Sequence, residues 1–449
     1  MNKSLALLKD SFREALDGKV LFVLLCLSSV FLLFVASISY TPVGEERAFS
    51  DLLRDSSNVR SRRGTDGGVF SSQTGLKLDK ASLTVVEDAS HPAKRKYRFR
   101  FDAVTPDVEA QEGRMVWHWQ STESMMFKPG GPKSKADPVP EGYRASPAEV
   151  EEFYRAAFVD RLTVPLSEFR QVGTPEASKK TYEVVTEPAT DTRGWGHSPS
   201  LFFGALDLKQ LSVPLGSILF LIQNNLLNGL GAVIAILCGV IVTGAFIPNM
   251  LRKGSIDLLL SKPLGRVQVI FYKYLGGLSF MAVFAGFNVV GLWLILGLRA
   301  GVWSTEFLLM IPMLTFSFSV LYAVSTLAGL WTRSAIVAIM ATLIFAVGVW
   351  LFGTVYVFVD TMDRAVPGEV NPTLTKVMGA IHTVLPRTKD VDVMTTKILS
   401  DSLLTRNDQA KAAQFDVRMP DPWSTFGVSI LWIAVFLGIG CWIMVRRDY

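Results

Sequence analysis

Long apolar runs alternate with polar stretches along this chain. A run of roughly 20 apolar residues can cross a membrane as a helix, because about 30 Å of hydrocarbon must be spanned at 1.5 Å per residue with every backbone polar group bonded internally. Six runs meet this rule, at 20–38, 222–247, 271–298, 306–330, 335–358 and 425–445. They predict a mainly α-helical membrane protein with six transmembrane helices.

The polar stretch 40–210 predicts an extracytoplasmic α+β domain. Alternating or β-branched residues favour strands at 97–104, 115–120 and 181–187. Segment 147–162 has helical spacing, with Pro147 at a plausible first position and one apolar side formed by Val150, Phe153, Tyr154, Ala157 and Phe158. Basic residues interleaved with aromatics at 95–101 suggest either a ligand groove or, more simply, an edge strand with one wet face.

Two other polar stretches have helical patterns. Residues 1–19 place Leu5, Leu8, Phe12 and Leu16 on one stripe, which predicts an amphipathic interfacial helix or, alternatively, a charged flank of the first span. The stretch 359–424 predicts an extracytoplasmic helical segment, since Leu374, Val377, Met378, Ile381 and Leu385 are spaced as one helix face before Pro386. We expect this face to lie against the outer domain or the lipid surface.

Composition agrees with a membrane protein. Of 449 residues, 49% are hydrophobic and 19% charged, and the mean hydropathy is +0.33. The net charge of +5 reflects lysines and arginines beside the spans, at Lys3, Lys9, Arg13, Lys19, Arg252, Lys253, Lys262, Arg266, Lys273, Arg333, Arg446 and Arg447. Six spans put these segments on one side, which the positive-inside rule makes the cytoplasm, with both termini there and both long polar stretches outside. The charge gives no reason to expect nucleic acid as a partner.

The first span resembles a signal peptide only in part. Its apolar stretch is about 19 residues, whereas a signal-peptide core has about 7–15. We therefore expect a retained anchor.

Candidate catalytic chemistry is sparse. The three cysteines fall within predicted spans, and the four histidines have no metal-ligand spacing, so we expect no metal site. The sequence contains no G-x-x-x-x-G-K-[ST] phosphate loop, no G-x-S-x-G elbow and no H-E-x-x-H motif. We expect no cofactor and no enzyme activity in this chain, and any ATP hydrolysis would belong to a partner.

A short basic element, LRKGSIDLLLSKP at 251–263, lies in the loop 248–270 between two apolar spans. Ser255 can cap a short helix with Asp257 in its first turn, and Pro263 ends it. One face would carry Ile256, Leu259 and Leu260, and the basic flanks are Arg252, Lys253 and Lys262. Such a helix either rests on lipid headgroups or docks a soluble partner and transmits its movement into the membrane.

Amides inside the apolar spans need partners. Asn224, Asn225 and Asn228 cluster at the outer end of the second span, and Asn288 lies in the middle of the third. They indicate either a translocation path or polar contacts between helices. Because the apolar run from Val213 to Ile247 exceeds one crossing, we expect a break near Pro214 and Gly216.

Residues 244–280, GAFIPNMLRKGSIDLLLSKPLGRVQVIFYKYLGGLSF, resemble the coupling region of permease subunits of ABC-2 type ABC transporters. The resemblance extends to the six-span plan and to an extracytoplasmic insertion after the first span. It implies a bacterial inner-membrane exporter of two permease copies and two nucleotide-binding subunits, which hold the ATP and magnesium. An alternative is an ATP-driven mechanotransmitter or membrane scaffold acting on an extracytoplasmic partner. Membrane lipid is a partner in both cases.

Overall fold

The computed structural model of the chain describes residues 20–57, 75–126, 139–140, 142–207, 212–251, 265–365, 370–413 and 418–446. The chain divides into two compact units. We call Met1–Ser37, Leu219–Ser402 and Ala412–Tyr449 the membrane unit, and Ile38–Ile218 with Leu403–Lys411 the α+β unit.

Helices dominate the membrane unit. They are α1 (Val20–Ala36), α5 (Leu215–Leu227, which begins in the α+β unit), α6 (Leu230–Thr243), α7 (Phe246–Met250), α8 (Arg266–Ala300), α9 (Met310–Thr332), α10 (Ala335–Ala365), α11 (Pro372–Val384), α12 (Thr388–Leu403) and α14 (Pro422–Arg446). Among the described residues, five helical stretches are long and apolar enough to cross a membrane: Leu215–Met250, Arg266–Ala300, Thr305–Thr332, Ala335–Arg364 and Pro422–Arg446. The apolar helix α1 is shorter, at 17 residues, so a sixth crossing stays a prediction.

Glycines allow neighbouring helices of the membrane unit to pack closely. Tyr274 of α8 stacks on Tyr322 of α9 with ring centroids 5.3 Å apart. A Cβ built on Gly277 would lie 2.3 Å from the Tyr322 ring, so only glycine fits there. Gly291 likewise abuts Leu32 of α1, whereas a Cβ on Gly286 would meet nothing within 4 Å. Close packing at α8 glycines therefore occurs at 277 and 291 and not at 286.

The α+β unit contains two antiparallel sheets. The strands are β1 (Ser39–Pro42), β2 (Gly75–Glu87), β3 (Lys96–Val104), β4 (Leu166–Glu176), β5 (Lys179–Thr186), β6 (Gly196–Leu201), β7 (Leu206–Asp207) and β8 (Val213–Pro214), and the helices are α2 (Glu45–Ser57), α3 (Val108–Met126), α4 (Pro147–Leu162) and α13 (Arg406–Ala413). One sheet has the strand order β2–β3–β5–β4, and in the other sheet β6 pairs with β1, β7 and β8.

Aromatic side chains form the core of the α+β unit. Phe49 of α2 packs against Phe99 of β3, with ring centroids 4.5 Å apart, and edge-on against Trp195. All three rings are fully buried. The helix α4 begins where its sequence predicts, because Ser146 and Glu149 form a capping box ahead of Pro147.

Two sequence predictions for the α+β unit are wrong. Residues 115–120 are helical, within α3, because a buried stripe at Val108, Glu112, Met115 and Val116 has helical spacing. Strand β3 is not an edge strand, since it lies between β2 and β5. One face of β3 is nevertheless wet, as expected, with Arg98 and Arg100 exposed.

Candidate functional site: the ends of the 252–264 segment and a polar clamp

The predicted docking element falls outside the described residues. The structure does not describe residues 252–264 or the N-terminal stretch 1–19. The first of these ranges contains the predicted coupling residues Arg252, Lys253, Ser255, Ile256, Asp257, Leu259, Leu260, Lys262 and Pro263. The structure does describe the chain on both sides of the element, where α7 ends and α8 begins. The geometry of those two ends determines what the element can move.

Both ends of the 252–264 segment enter one buried apolar cluster, which we call the root cluster. Its members come from four helices and their ends: Ile247, Met250, Leu251, Val269, Ile270, Leu330 and Met444. The first three precede the segment and the next two follow it, while Leu330 belongs to α9 and Met444 to α14. Because buried apolar groups are close-packed and hardly compressible, the chain on both sides of the segment is held firmly against α9 and α14.

A polar contact adds to the root cluster. The Arg266 guanidinium donates to the backbone carbonyl oxygens of Met444 and Val445, at 3.3 and 3.4 Å. These are carbonyls of the last turn of α14, where a cation is also favoured by the helix dipole. Arg266 is the first residue of α8, so it joins the start of one helix to the end of another. Sequence reasoning used Arg266 only as a topological charge.

Local sequence explains how the chain is positioned on both sides of the 252–264 segment. Gly265 caps α8, and its backbone N–H donates to Oε1 of Gln268 at 3.3 Å. On the other side, Pro248 of α7 lies against Gly329 of α9, where a Cβ would be 3.2 Å from the proline ring. The absence of a side chain at Gly329 therefore lets α7 approach α9 closely.

Two of the four predicted amides are brought together in a second feature, which we call the polar clamp. Asn228 Nδ2 donates to Oδ1 of Asn224 at 2.9 Å and to Oγ1 of Thr396 at 2.8 Å. Thr395 donates to Oδ1 of Asn228 at 3.0 Å, and Thr396 donates to Oδ1 of Asn224 at 3.1 Å. The clamp thus joins the end of α5 to the middle of α12.

The remaining predicted amides bond within their own helices. Asn225 Nδ2 donates to the Leu221 carbonyl at 2.8 Å, and Asn288 Nδ2 donates to the Phe284 carbonyl at 2.9 Å. The neighbouring Gln223, which is buried, donates to Ser304 at 3.1 Å. The break between α5 and α6 comes at Asn228 and Gly229, at the last amide of the cluster, whereas the sequence suggested Pro214 and Gly216.

A small cavity lies beside the polar clamp. It has a volume of about 10 Å³ and is lined by side chains that include Asn228, Ser317 and Asp392. This is room for about one water molecule. Burial raises the pKa of the Asp392 carboxyl, and the Lys389 ammonium, 3.2 Å away, partly opposes that rise.

Helices α11 and α12 are joined by a short turn that lies well along two candidate spans. The His382 ring stacks on Tyr356 of α10 at 3.8 Å, and its Nε2 is 3.1 Å from a carboxylate oxygen of the buried Asp390. Trp432 Nε1 of α14 donates to the Val384 carbonyl at 2.6 Å. Trp432 is ten residues past the start of α14, which corresponds to about 15 Å of helix. The turn therefore lies about that far along α14, and sequence patterns did not reveal it.

The family match extends over almost the whole chain. Residues 5–449 match the family described as ABC-2 family transporter protein. The chain belongs to the ABC-2 transporter family. Membership makes it a membrane-spanning permease of an ABC transporter, and it implies partnership with an ABC nucleotide-binding subunit. No curated protein and no solved structure matches the chain.

Proposed function

We propose that this permease works as an exporter of the bacterial inner membrane, as a homodimer that binds two separate nucleotide-binding subunits through residues 251–263. The root cluster carries the proposal. The residues on both sides of segment 252–264 pack against α9 and α14, which supports transmission of movement from a docked ATPase to these helices.

Helix α8 is the natural lever in this scheme. It has 35 residues and starts one residue after its Gly265 cap, so it extends about 53 Å from the docking element. Near its far end Gly291 lies against Leu32 of α1, and near its start Arg266 holds the end of α14. A push at Arg266 is therefore felt by the first and last helices of the membrane unit.

In the same proposal both termini are cytoplasmic and the α+β unit lies outside. The basic residues flanking the spans support this orientation. Cysteines introduced at Gly130 and Asp401 should react with an impermeant maleimide in intact cells, whereas cysteines at Gly254 and Arg447 should react only after permeabilisation. Labelling of Gly254 from outside would overturn the topology.

The docking element itself is tested by one pair of variants. In a helix over 255–262, Leu259 lies on the face of Ile256 and Leu260, whereas Leu258 points to the opposite side. Leu259→Asp removes a contact worth about 1.5–3 kcal/mol, which corresponds to a loss of about 10- to 150-fold in affinity for the ATPase. Leu258→Asp carries the same charge and should retain binding.

The measurement is recovery of the co-expressed nucleotide-binding subunit with each variant, together with its ATP turnover. The purified permease alone should hydrolyse no ATP. Equal recovery with Leu259→Asp and Leu258→Asp would mean that the element rests on lipid and does not dock the ATPase.

A second candidate function is favoured by the polar clamp. Asn224 and Asn228 satisfy one another and two threonines, and the adjoining cavity holds about one water. Such an arrangement suits a mechanotransmitter, in which ATP hydrolysis moves the α+β unit to act on an extracytoplasmic protein. Crosslinking α5 to α12 through cysteines at Asn228 and Thr396 distinguishes the exporter from the mechanotransmitter. If substrate passes between these helices, the crosslink should block activity. If the two helices form a rigid clamp, the crosslinked protein should stay active.

A further inference from the structure

The turn between β6 and β7 exposes large apolar side chains in the α+β unit. Phe202, Phe203 and Leu206, which we call the phenylalanine tip, are 57%, 72% and 52% exposed. Elsewhere in this unit no aromatic residue of the described strands is exposed, and several, such as Phe99 and Phe101, are fully buried. An apolar group this exposed in an otherwise well-buried unit indicates a surface that contacts something other than water.

The backbone of the tip is held in a conformation that phenylalanine rarely adopts. Phe202 and Phe203 have φ of 52° and 56°, and Gly204 has φ of 95°. Left-handed backbone is unfavourable for residues with a Cβ, and glycine or asparagine usually occupies such positions. Two consecutive phenylalanines there cost stability, and strain of this kind is characteristic of functional sites.

Strand register places the phenylalanine tip at the point where the chain enters the α+β unit. Strand β6 is antiparallel to β1, with Ser200 opposite Ser39. Ser39 is only three residues after Ala36, where α1 ends, so the two lie within about 10 Å of each other along the chain. Phe203 is three residues past Ser200, on the side of Ser39 from which the chain arrives. The tip therefore lies at the end of the α+β unit that receives the chain three residues after α1 in sequence.

Helix α1 has the character of a lipid-facing segment. It consists almost wholly of apolar residues, and Phe22 and Leu33 are among its exposed side chains. A chain that leaves such a helix crosses the interface between hydrocarbon and water, where exposed aromatic rings are favoured.

Chain length at the other connection is compatible with this position. Pro214 of β8 pairs with Gly196 of β6. Gly196 is four residues before Ser200, so this pair lies about 13 Å farther from the tip than Ser200 does. The helical stretch that follows, Leu215–Met250, has 36 residues and would be about 54 Å long if straight, some 24 Å more than the hydrocarbon core. It is long enough to start well above the interface.

We propose that the phenylalanine tip inserts into the lipid bilayer at its interface beside the end of α1 and anchors the α+β unit to the membrane surface. The ligand is the bilayer itself, since the tip presents apolar rings and no charged side chain at 202, 203 or 206. The proposal goes beyond the transport function and does not depend on it, because anchoring needs neither an ATPase nor a substrate.

The test measures the depth of a fluorescent label in the full chain. Cys26, Cys238 and Cys441 are replaced by serine or alanine, and single cysteines are introduced as Phe203→Cys or, as a control, Val86→Cys, which is 49% exposed on β2 of the same unit. Each protein is labelled with an environment-sensitive dye and reconstituted into nanodiscs of phosphatidylethanolamine and phosphatidylglycerol. Nitroxide-bearing lipid should quench the dye at 203 and not at 86, and aqueous iodide should do the reverse.

A second pair of variants keeps the test independent of the label at 203. With the dye at Leu206→Cys, lipid quenching should be present when both phenylalanines are present and lost in the Phe202→Ser/Phe203→Ser double variant. Because both rings are exposed, the double variant leaves the buried core intact. Iodide quenching at 203 equal to that at 86 would place the tip in water and overturn the proposal. Protection at 203 from both quenchers would also overturn it, since protein and not lipid would then cover the tip.

Discussion

The α+β unit and the membrane unit distribute polar and apolar side chains in opposite ways. In the α+β unit the large rings lie inside, with Tyr97, Phe99 and Trp195 fully buried. In the membrane unit large apolar side chains such as Leu298 and Ile336 are exposed, while Ser325, Thr326 and other hydroxyls are buried. The difference follows from the solvent each surface meets, because burial of apolar area drives folding in water and not in lipid. The first unit should therefore depend on apolar volume, and the second on close approach and hydrogen bonds.

The largest effect should come from removing apolar volume in the α+β unit. Phe99→Ala leaves a cavity beside Phe49 and Phe158 and should lower the free energy of unfolding of this unit by about 3–5 kcal/mol. Hydrogen exchange of β3 and β5 peptides measures the loss. The exposed Val86→Ala should change it by less than about 0.5 kcal/mol. Equal exchange in the two variants would mean that this core does not govern the unit.

The next largest effect is expected from acid, which should lower the stability of the α+β unit. Burial, together with the nearby His91, lowers the pKa of His197 to about 4, and the Trp195 carbonyl that accepts from Nδ1 only partly opposes the shift. Burial, Lys94 and Arg95 also lower the pKa of His91. Between about pH 6.5 and 4 the unfolded chain binds a proton at His197 that the folded unit does not, so stability falls as pH falls, by up to about 3 kcal/mol.

The His197→Asn variant isolates that contribution. Its amide can keep the hydrogen bond to the Trp195 carbonyl, and it does not titrate. Hydrogen exchange of β6 peptides at pH 4.5 and 6.5 should show a smaller pH dependence in the variant than in the native chain. An unchanged pH dependence would assign the acid sensitivity to other groups, such as the carboxylates of the unit.

In the membrane unit, the effect of an added methyl group should depend on whether the helix packing leaves room for it. Gly277→Ala drives a methyl group into the Tyr322 ring and should destabilise the chain by about 1–3 kcal/mol. Gly286→Ala, on the same helix with nothing within 4 Å, should be neutral or stabilising by up to about 1 kcal/mol. Thermal melting in detergent compares the two variants. If Gly277→Ala melts no lower than Gly286→Ala, α8 and α9 are not in the close contact described.

The smallest of the four effects is expected at the polar clamp. Asn228→Ala removes hydrogen bonds to Asn224, Thr395 and Thr396. Hydrogen bonds between membrane helices are worth about 0.6 kcal/mol each on average, so the loss should be about 1–2 kcal/mol. Asn225→Ala, which removes only a bond within α5, is the matched control. Faster hydrogen exchange in α12 peptides of Asn228→Ala alone would support the clamp, and identical exchange in both variants would contradict it.

Periodicity predicted the elements whose faces are uniformly apolar. Helix α4 and strand β3 are predicted because their buried positions are occupied by apolar residues throughout, whereas β5 is predicted from its β-branched residues. Helix α3 was missed because Gln111 and Glu112 occupy its buried stripe. Glu112 is tolerated there since Tyr182 donates to it at 2.6 Å and Lys180 at 3.0 Å, and both donors lie some 70 residues later in the sequence.

The candidate site shows the same limit of sequence reasoning. Asn224 and Asn228 were recognised as amides on one helix face, but Thr396, which donates to Asn224, is 172 residues away in the chain. Nothing in the local pattern of α12 distinguishes Thr395 and Thr396 from other threonines of the chain. The position of β3 inside its sheet depends in the same way on pairing with β5, which follows it by about 80 residues.

The root cluster has a consequence for the order in which the protein is made. The carbonyl of Met444, which accepts from Arg266, lies 178 residues after that arginine in the chain. Since proteins are synthesised from the N-terminus, α8 enters the membrane long before this group exists. The root cluster is therefore incomplete until α14 has been synthesised. We expect nascent chains, and chains truncated before Met444, to recruit an ATPase poorly, which would protect the cell from partly built transporters that consume ATP.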